Sequence, residues 1–310
     1  MQNLYEKARR FVHLNARPLD YARWRYHFEN GSAEEVLRVL SFYQNDDGGF
    51  GHGLEADALN PGSSPIQSWS ATMVLREVGL YDEKHPIVAG IVRYLTSGMD
   101  FDGECWDRTV PGNNDYPHAP WWSYVPGAEN GYNPTASLAG YLLRVSSPGS
   151  ETDQFARRIA MNAYQYALTS EDISEMHLLP CFVGLCRDVI TARPGLFDAE
   201  ALLDRLRKSA QSCVERDADR WTTEYSAMPS FLISGLDDPL YTAFPELAER
   251  ECAFIEQTQQ DDGAWPVSWS WGAYPDAFAI SANRWQSWII LKNLLYLRGM
   301  GKLTGNDGNI

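Results

Sequence analysis

The stretches QNDDGGF at residues 44–50 and QQDDGAW at residues 259–265 repeat one order: Gln, Asp-Asp-Gly, a small residue and an aromatic one, each after an apolar segment. Gln44, Asp46, Asp47, Gly48 and Phe50 correspond to Gln259 or Gln260, Asp261, Asp262, Gly263 and Trp265. A weaker copy lies in IVRYLTSGMDFDGECWD (91–107), where Asp102, Gly103 and Trp106 keep the core of the pattern. A fainter one is SCVERDADRWTTEYS (212–226). Asp and Gly permit a tight reversal after a helix, the Gln amide can bond backbone groups left free there, and the aromatic ring packs back between neighbouring helices. The motif reads as structural, in a repeat of about 50 residues built as helix, turn, helix.

The segments between these turns read as helices of two kinds. Val36, Val39, Leu40 and Tyr43 fall at helical spacing on one side. SANRWQSWIILKNLLYLRG (281–299) is apolar nearly all round, as expected of a helix covered on both sides, with Ser281 as its predicted start and Gly299 as its stop. One-faced and two-faced helices in alternation predict two concentric layers. Pro and Gly cluster in NPGSSP (60–65), VPGNNDYPHAPWW (110–122) and VPGAENGYNP (125–134), each placed before an inner helix and read as an ordered loop. With no strand alternation and no linker, the expectation is a single all-α domain over residues 1–310.

The Gln-x-x-Asp-Gly-x-aromatic turn, with the stretch SSPIQSWSATMVLREVGL (63–80) that follows its first copy, resembles the repeat of the terpene cyclase and protein prenyltransferase superfamily. The resemblance implies an α/α toroid, (α/α)6, of about six helical hairpins around a central cavity, with the loop after the turn at the cavity rim. The chain carries neither the D-x-D-D acid motif of class II cyclases nor the D-x-C zinc pair of prenyltransferases. No metal site and no cofactor is expected.

Composition narrows the partners. The chain has 41 acidic against 26 basic residues and a formal charge of -15, which repels nucleic acid and anionic lipid at long range. No run of about 18 apolar residues predicts a membrane span. Five cysteines without a C-x-x-C pair point to reduced, mostly buried thiols and a cytoplasmic protein.

Candidate site residues lie in the rim loops and on the inner helices. Glu55 and Asp57, two residues apart and close to His52, suit a proton donor beside an ionised neighbour, or equally a solvated loop capping helix ends. Asp115 and His118 stand with Trp121 and Trp122 in the second rim loop, offering an acid-base pair with flat walls, or a packed loop anchored by its aromatics. Asn60 joins the rim. Trp69, Trp269, Trp271 and Trp285 are expected on inner helices or rim loops, where such faces line an apolar ligand, hold a sugar ring or stabilise a cation. Three functions follow: a terpene cyclase-like enzyme for acid-catalysed cyclisation or isomerisation of a small, largely apolar isoprenoid-type substrate; a carbohydrate-active α/α-barrel hydrolase or lyase; or a non-catalytic ligand-binding toroid. The sequence does not assign an oligomeric state.

Overall fold

The computed structural model describes residues 1–303. Its regular structure is helical: α1 (Gln2–Asn15), α2 (Pro18–Phe28), α3 (Ala33–Leu40), α4 (Pro65–Glu77), α5 (Pro86–Thr96), α6 (Tyr132–Val145), α7 (Glu151–Thr169), α8 (Leu178–Ala192), α9 (Ala199–Cys213), α10 (Pro245–Thr258) and α11 (Pro275–Gly299). Extended contacts among the described residues are isolated bridges only, so the protein is all-α. No helix among the described residues is long and apolar enough to cross a membrane.

Local chemistry sets the helix starts. Proline opens α2, α4, α5, α10 and α11, where its missing N–H costs no hydrogen bond. Ser64 caps α4 by accepting from the Gln67 amide. The last helix ends at Gly299 as expected but begins at Pro275, not at Ser281. Pro275 supplies a preset φ and Asp276 a first-turn carboxylate, and Ser281 lies buried inside the helix.

The two kinds of helix are distinct. On α3, Val36, Val39 and Leu40 are buried while Glu34 and Arg38 face solvent. By contrast α6 has no exposed residue, and neither has α11 between Ser281 and Leu297. The chain divides into two compact units, Ser41–Ser209 and Met1–Leu40 joined with the residues from Ala210 on. In the first, α6 packs on α4, α7 and α8. In the second, α2 packs on α1 and α11.

The repeated turns are equivalent atom by atom. Gln44 Nε2 donates to Gly48 O at 2.9 Å and to Ile87 O of α5 at 3.0 Å. Gln259 Nε2 donates to Gly263 O at 3.0 Å and to Leu4 O of α1 at 2.9 Å, which settles the correspondence on Gln259 rather than Gln260. Asp47 and Asp262 each accept from the backbone amide two residues on. Gly48 and Gly263 have φ of 94° and 99°, and a Cβ on either would lie 2.1 Å from a helix carbonyl, that of Gly90 or Lys7. Ile87 to Gly90 and Leu4 to Lys7 span the same three residues, so both turns use the same patch of a helix.

The aromatic residue of the motif closes each turn. Phe50 is fully buried, and Trp265 Nε1 donates to Ile255 O at 3.0 Å, back in the helix just ended. In the weaker copy Gly103 has φ of 104°, Asp102 accepts from the amides of Glu104 and Cys105, and Trp106 Nε1 donates to Leu95 O at 3.2 Å. The faint copy departs from the pattern: without a left-handed glycine, Trp221 sits in a short 3-10 turn and bonds Glu215 O at 2.9 Å.

The chain segments after α3, α5, α7, α9 and α10 each rest on a further helix. The turn after α3 sits on α5. The turn after α5 meets α7, where Arg158 donates to Gly103 O at 2.9 Å and Phe155 packs on Trp106. The end of α7 is held by Arg205 of α9, which donates to Ser170 O at 2.7 Å. The segment after α9 places Trp221 edge-on to Phe254 of α10 at 5.3 Å. The turn after α10 rests on α1.

Candidate functional site

In the Ser41–Ser209 unit the loops that precede α4 and α6 are braced against each other by backbone bonds. Ala119 N donates to Asp57 O at 2.8 Å and Leu59 N to Pro117 O at 3.1 Å, which brings Glu55 and Asp57 to the loop that carries His118. Glu55 and Asp57 are both buried, and Glu55 Oε2 accepts from the Asp57 amide at 2.8 Å. His118 is buried too, with Nδ1 2.7 Å from Tyr116 O and Nε2 3.0 Å from Ser123 Oγ. Asp115 is exposed on the same loop, so the expected Asp115–His118 pairing is replaced by these two loop oxygens. His52 is exposed at φ of 62°, with Nε2 2.9 Å from Asn45 Oδ1, and serves the turn.

Asn60 ties the loops together. Its Nδ2 donates to Asn113 Oδ1 at 3.2 Å, its Oδ1 accepts from Gly62 N, and Asn113 Nδ2 in turn donates to Trp122 O at 2.9 Å. Trp122 is buried beneath the Arg108 guanidinium, while Trp121 stays exposed. Trp69 projects from α4 half-buried, and its indole N–H, like that of Trp122, is buried without a hydrogen-bond partner. Farther along α4, Arg76 is taken up by Asp188 of α8 at 2.6 Å and by Ser137 O of α6 at 2.8 Å. Those contacts tie α4, α6 and α8 together and commit that guanidinium to structure.

A second cluster lies in the other unit, on α11. From Trp285 on, Trp285, Gln286, Trp288, Ile289, Lys292 and Leu295 are partly accessible, while Ser287, Ile290, Leu291, Asn293, Leu294, Tyr296 and Leu297 are buried. Trp269 and Trp285 meet edge to face at 5.3 Å, Trp285 and Trp288 at 5.4 Å, and Tyr225 extends the row by packing on Trp269 at 5.2 Å. Such contacts contribute about 1 kcal/mol each beyond their burial. Trp271 is buried against Phe278. The Trp285 indole N–H is buried and unpartnered.

The row ends at Lys292, whose Nζ lies 3.8 Å from the Phe231 ring centre and 5.7 Å from that of Trp288. Glu251 of α10 is fully buried nearby; it accepts from Ser230 N at 2.8 Å and from the Ser230 hydroxyl. Burial pushes the Glu251 carboxyl above its ordinary value, against the opposing pull of Lys292 and the Ser230 bonds. Burial likewise pushes the Lys292 ammonium down to about 8, with Glu251 pulling the other way. Burial thus favours the neutral form of both groups, the acid by an upward shift and the amine by a downward one.

No protein-family model, curated protein or solved structure matches this chain. An aromatic row with one unpartnered indole N–H can hold an apolar body and one oxygen, and the Lys292–Glu251 end can exchange a proton with it. Trp269 and Trp285 belong to this cluster. Lys292, Glu251, Ser230, Phe231 and Trp288 were not among the expected site residues. A signal for Lys292 was present: in WIILKNLLYL (288–297) it is the one charged side chain on a helix covered all round. Nothing in the sequence pairs it with Glu251, 41 positions earlier by residue number.

Proposed function

We propose that this chain is a terpene cyclase-like α/α toroid of helical hairpins, one domain over residues 1–310. It takes a small, largely apolar molecule against the aromatic face of α11 and acts on it by acid-base chemistry. The toroid is supported by the order of docking. The reversals after α3, α5, α7, α9 and α10 rest in turn on α5, α7, α9, α10 and α1. An open array of repeats ends in a cap, whereas a last repeat seated on the first element is what closure of a ring requires. Outer helices α1, α3, α5, α7, α9 and α10 alternate with inner helices α2, α4, α6, α8 and α11. Only short 3-10 turns stand where a sixth inner helix would follow α9.

The observation that carries the ligand reading is the row Tyr225–Trp269–Trp285–Trp288, which lies along partly accessible positions of an otherwise covered helix. Lys292 and Glu251 are the favoured proton carriers. Glu55, Asp57 and His118 enter first as braces of the loops. Titrating the protein with farnesol should change its tryptophan emission saturably, and Trp285→Ala or Trp288→Ala should abolish the response while Trp121→Ala leaves it. No saturable change in the wild type would sink the reading, and an undiminished response in both α11 variants would move the ligand elsewhere. The unpartnered Trp285 N–H favours a second reading, a carbohydrate ligand, because a sugar hydroxyl supplies the missing acceptor. Native mass spectrometry separates the two by the mass of any small molecule retained. Binding without turnover would leave a ligand carrier on the same fold.

A further inference from the structure

Lys292 is a compact cation in an unusual setting. Among the described residues its ammonium has two aromatic faces for neighbours, with Glu251 acting on it from beyond ion-pair distance. An ammonium carries three donors and is strongly hydrated, so stripping its water without supplying oxygen acceptors favours the neutral amine. Glu251 does not supply that acceptor, since it lies beyond ion-pair distance and turns its oxygens to Ser230. The amine stands at the end of an aromatic row in which the Trp285 N–H also has no partner. A desolvated lysine beside an apolar binding face is the setting in which amines act as nucleophiles.

We propose that Lys292 is an amine nucleophile for the carbonyl carbon of an apolar aldehyde or ketone seated on the Trp285–Trp288 face, which it holds as an imine. This rests on the ligand reading above and deepens it by naming the ligand's reactive group. The ammonium first releases one proton. The Nζ lone pair then forms the N–C bond as the carbonyl π pair moves to oxygen, which takes up a proton. The remaining N–H proton and the hydroxyl leave as water, and the C=N bond forms. No electron is gained or lost, and the sum is ammonium plus carbonyl giving imine, water and a proton. With the ammonium pushed down to about 8, roughly a tenth of it is free amine at pH 7.

The test uses the whole protein with cinnamaldehyde, a small apolar aldehyde, and two readouts on one sample: quenching of tryptophan emission, then cyanoborohydride reduction and peptide mass mapping. Saturable quenching with one cinnamyl group added at Lys292, ahead of the exposed Lys84 and Lys208, is the expected result. Lys292→Arg should retain the quenching and lose that addition; circular dichroism checks that it is folded. Quenching without addition at Lys292, or addition no faster there than at Lys84 and Lys208, overturns the imine and leaves the ligand reading standing. Neither quenching nor selective addition overturns both.

Discussion

Gly48 and Gly263 do two things that any side chain would undo: they take a left-handed φ and let a helix carbonyl approach to where a Cβ would sit. Gly48→Ala and Gly263→Ala should each lower stability by about 3 kcal/mol, because left-handed strain and a backbone clash add. Gly149 has φ of 82° with open space around it, so Gly149→Ala should cost only about 1 kcal/mol, the strain alone. Urea midpoints at constant slope measure all three; equal losses would mean that the helix contact contributes nothing. Lys292 makes a prediction of the opposite kind. Its pKa is about 8 in the folded chain against 10.5 normally, so the unfolded chain binds more protons between those values. Stability should therefore rise with pH across that window, by up to about 3 kcal/mol in all. Lys292→Met should flatten the rise. The raised Glu251 pKa acts in the other direction, favouring the fold at low pH and losing that advantage as pH climbs from the ordinary carboxylate value through the folded one; Glu251→Gln should remove the decline.

Elements with a strong local signal were legible before any coordinates. The turns at 44–50 and 259–265 announce themselves because a left-handed glycine, a bridging Gln amide and a buried ring leave few alternatives at those positions. The all-round apolar run of α11 gave its burial, and Gly299 gave its end. Its beginning was misplaced because Ser281 resembles a cap, while Pro275 six residues earlier both permits and favours the first turn. The rim loops were located, but not their chemistry. Whether Glu55 or His118 meets solvent, substrate or a backbone amide depends on which strand of loop lies opposite, and the spacing of residues along the chain carries no record of that. The Lys292–Glu251 cluster was hidden for the same reason: two helices and a 3-10 turn must assemble before an amine in an apolar helix acquires its surroundings.

At the scale of the whole molecule, the two units differ in how far apart in sequence their contacts reach. Residues 41–209 form their unit from one continuous stretch, whereas α1 and α2 depend on α10 and α11. A chain cut after residue 244 should keep amide protection within 41–209 and lose it over α1 and α2, as read by hydrogen exchange with mass spectrometry. Uniform loss would mean that the molecule folds as one cooperative block. The bond from Gln259 to Leu4 spans 255 residues, and its two ends are made at opposite times. At synthesis rates of about 5–20 residues per second, α1 leaves the ribosome on the order of ten to fifty seconds before the turn that will cover it. During that interval the apolar side of α1 can pack Tyr5 on Trp24 and Phe28 of α2 but lacks α11 and the turn that complete its cover. A helix made early is thus among the last to be finished, and the newborn chain stays open to chaperones and to its own kind at α1 until Gln259 has emerged.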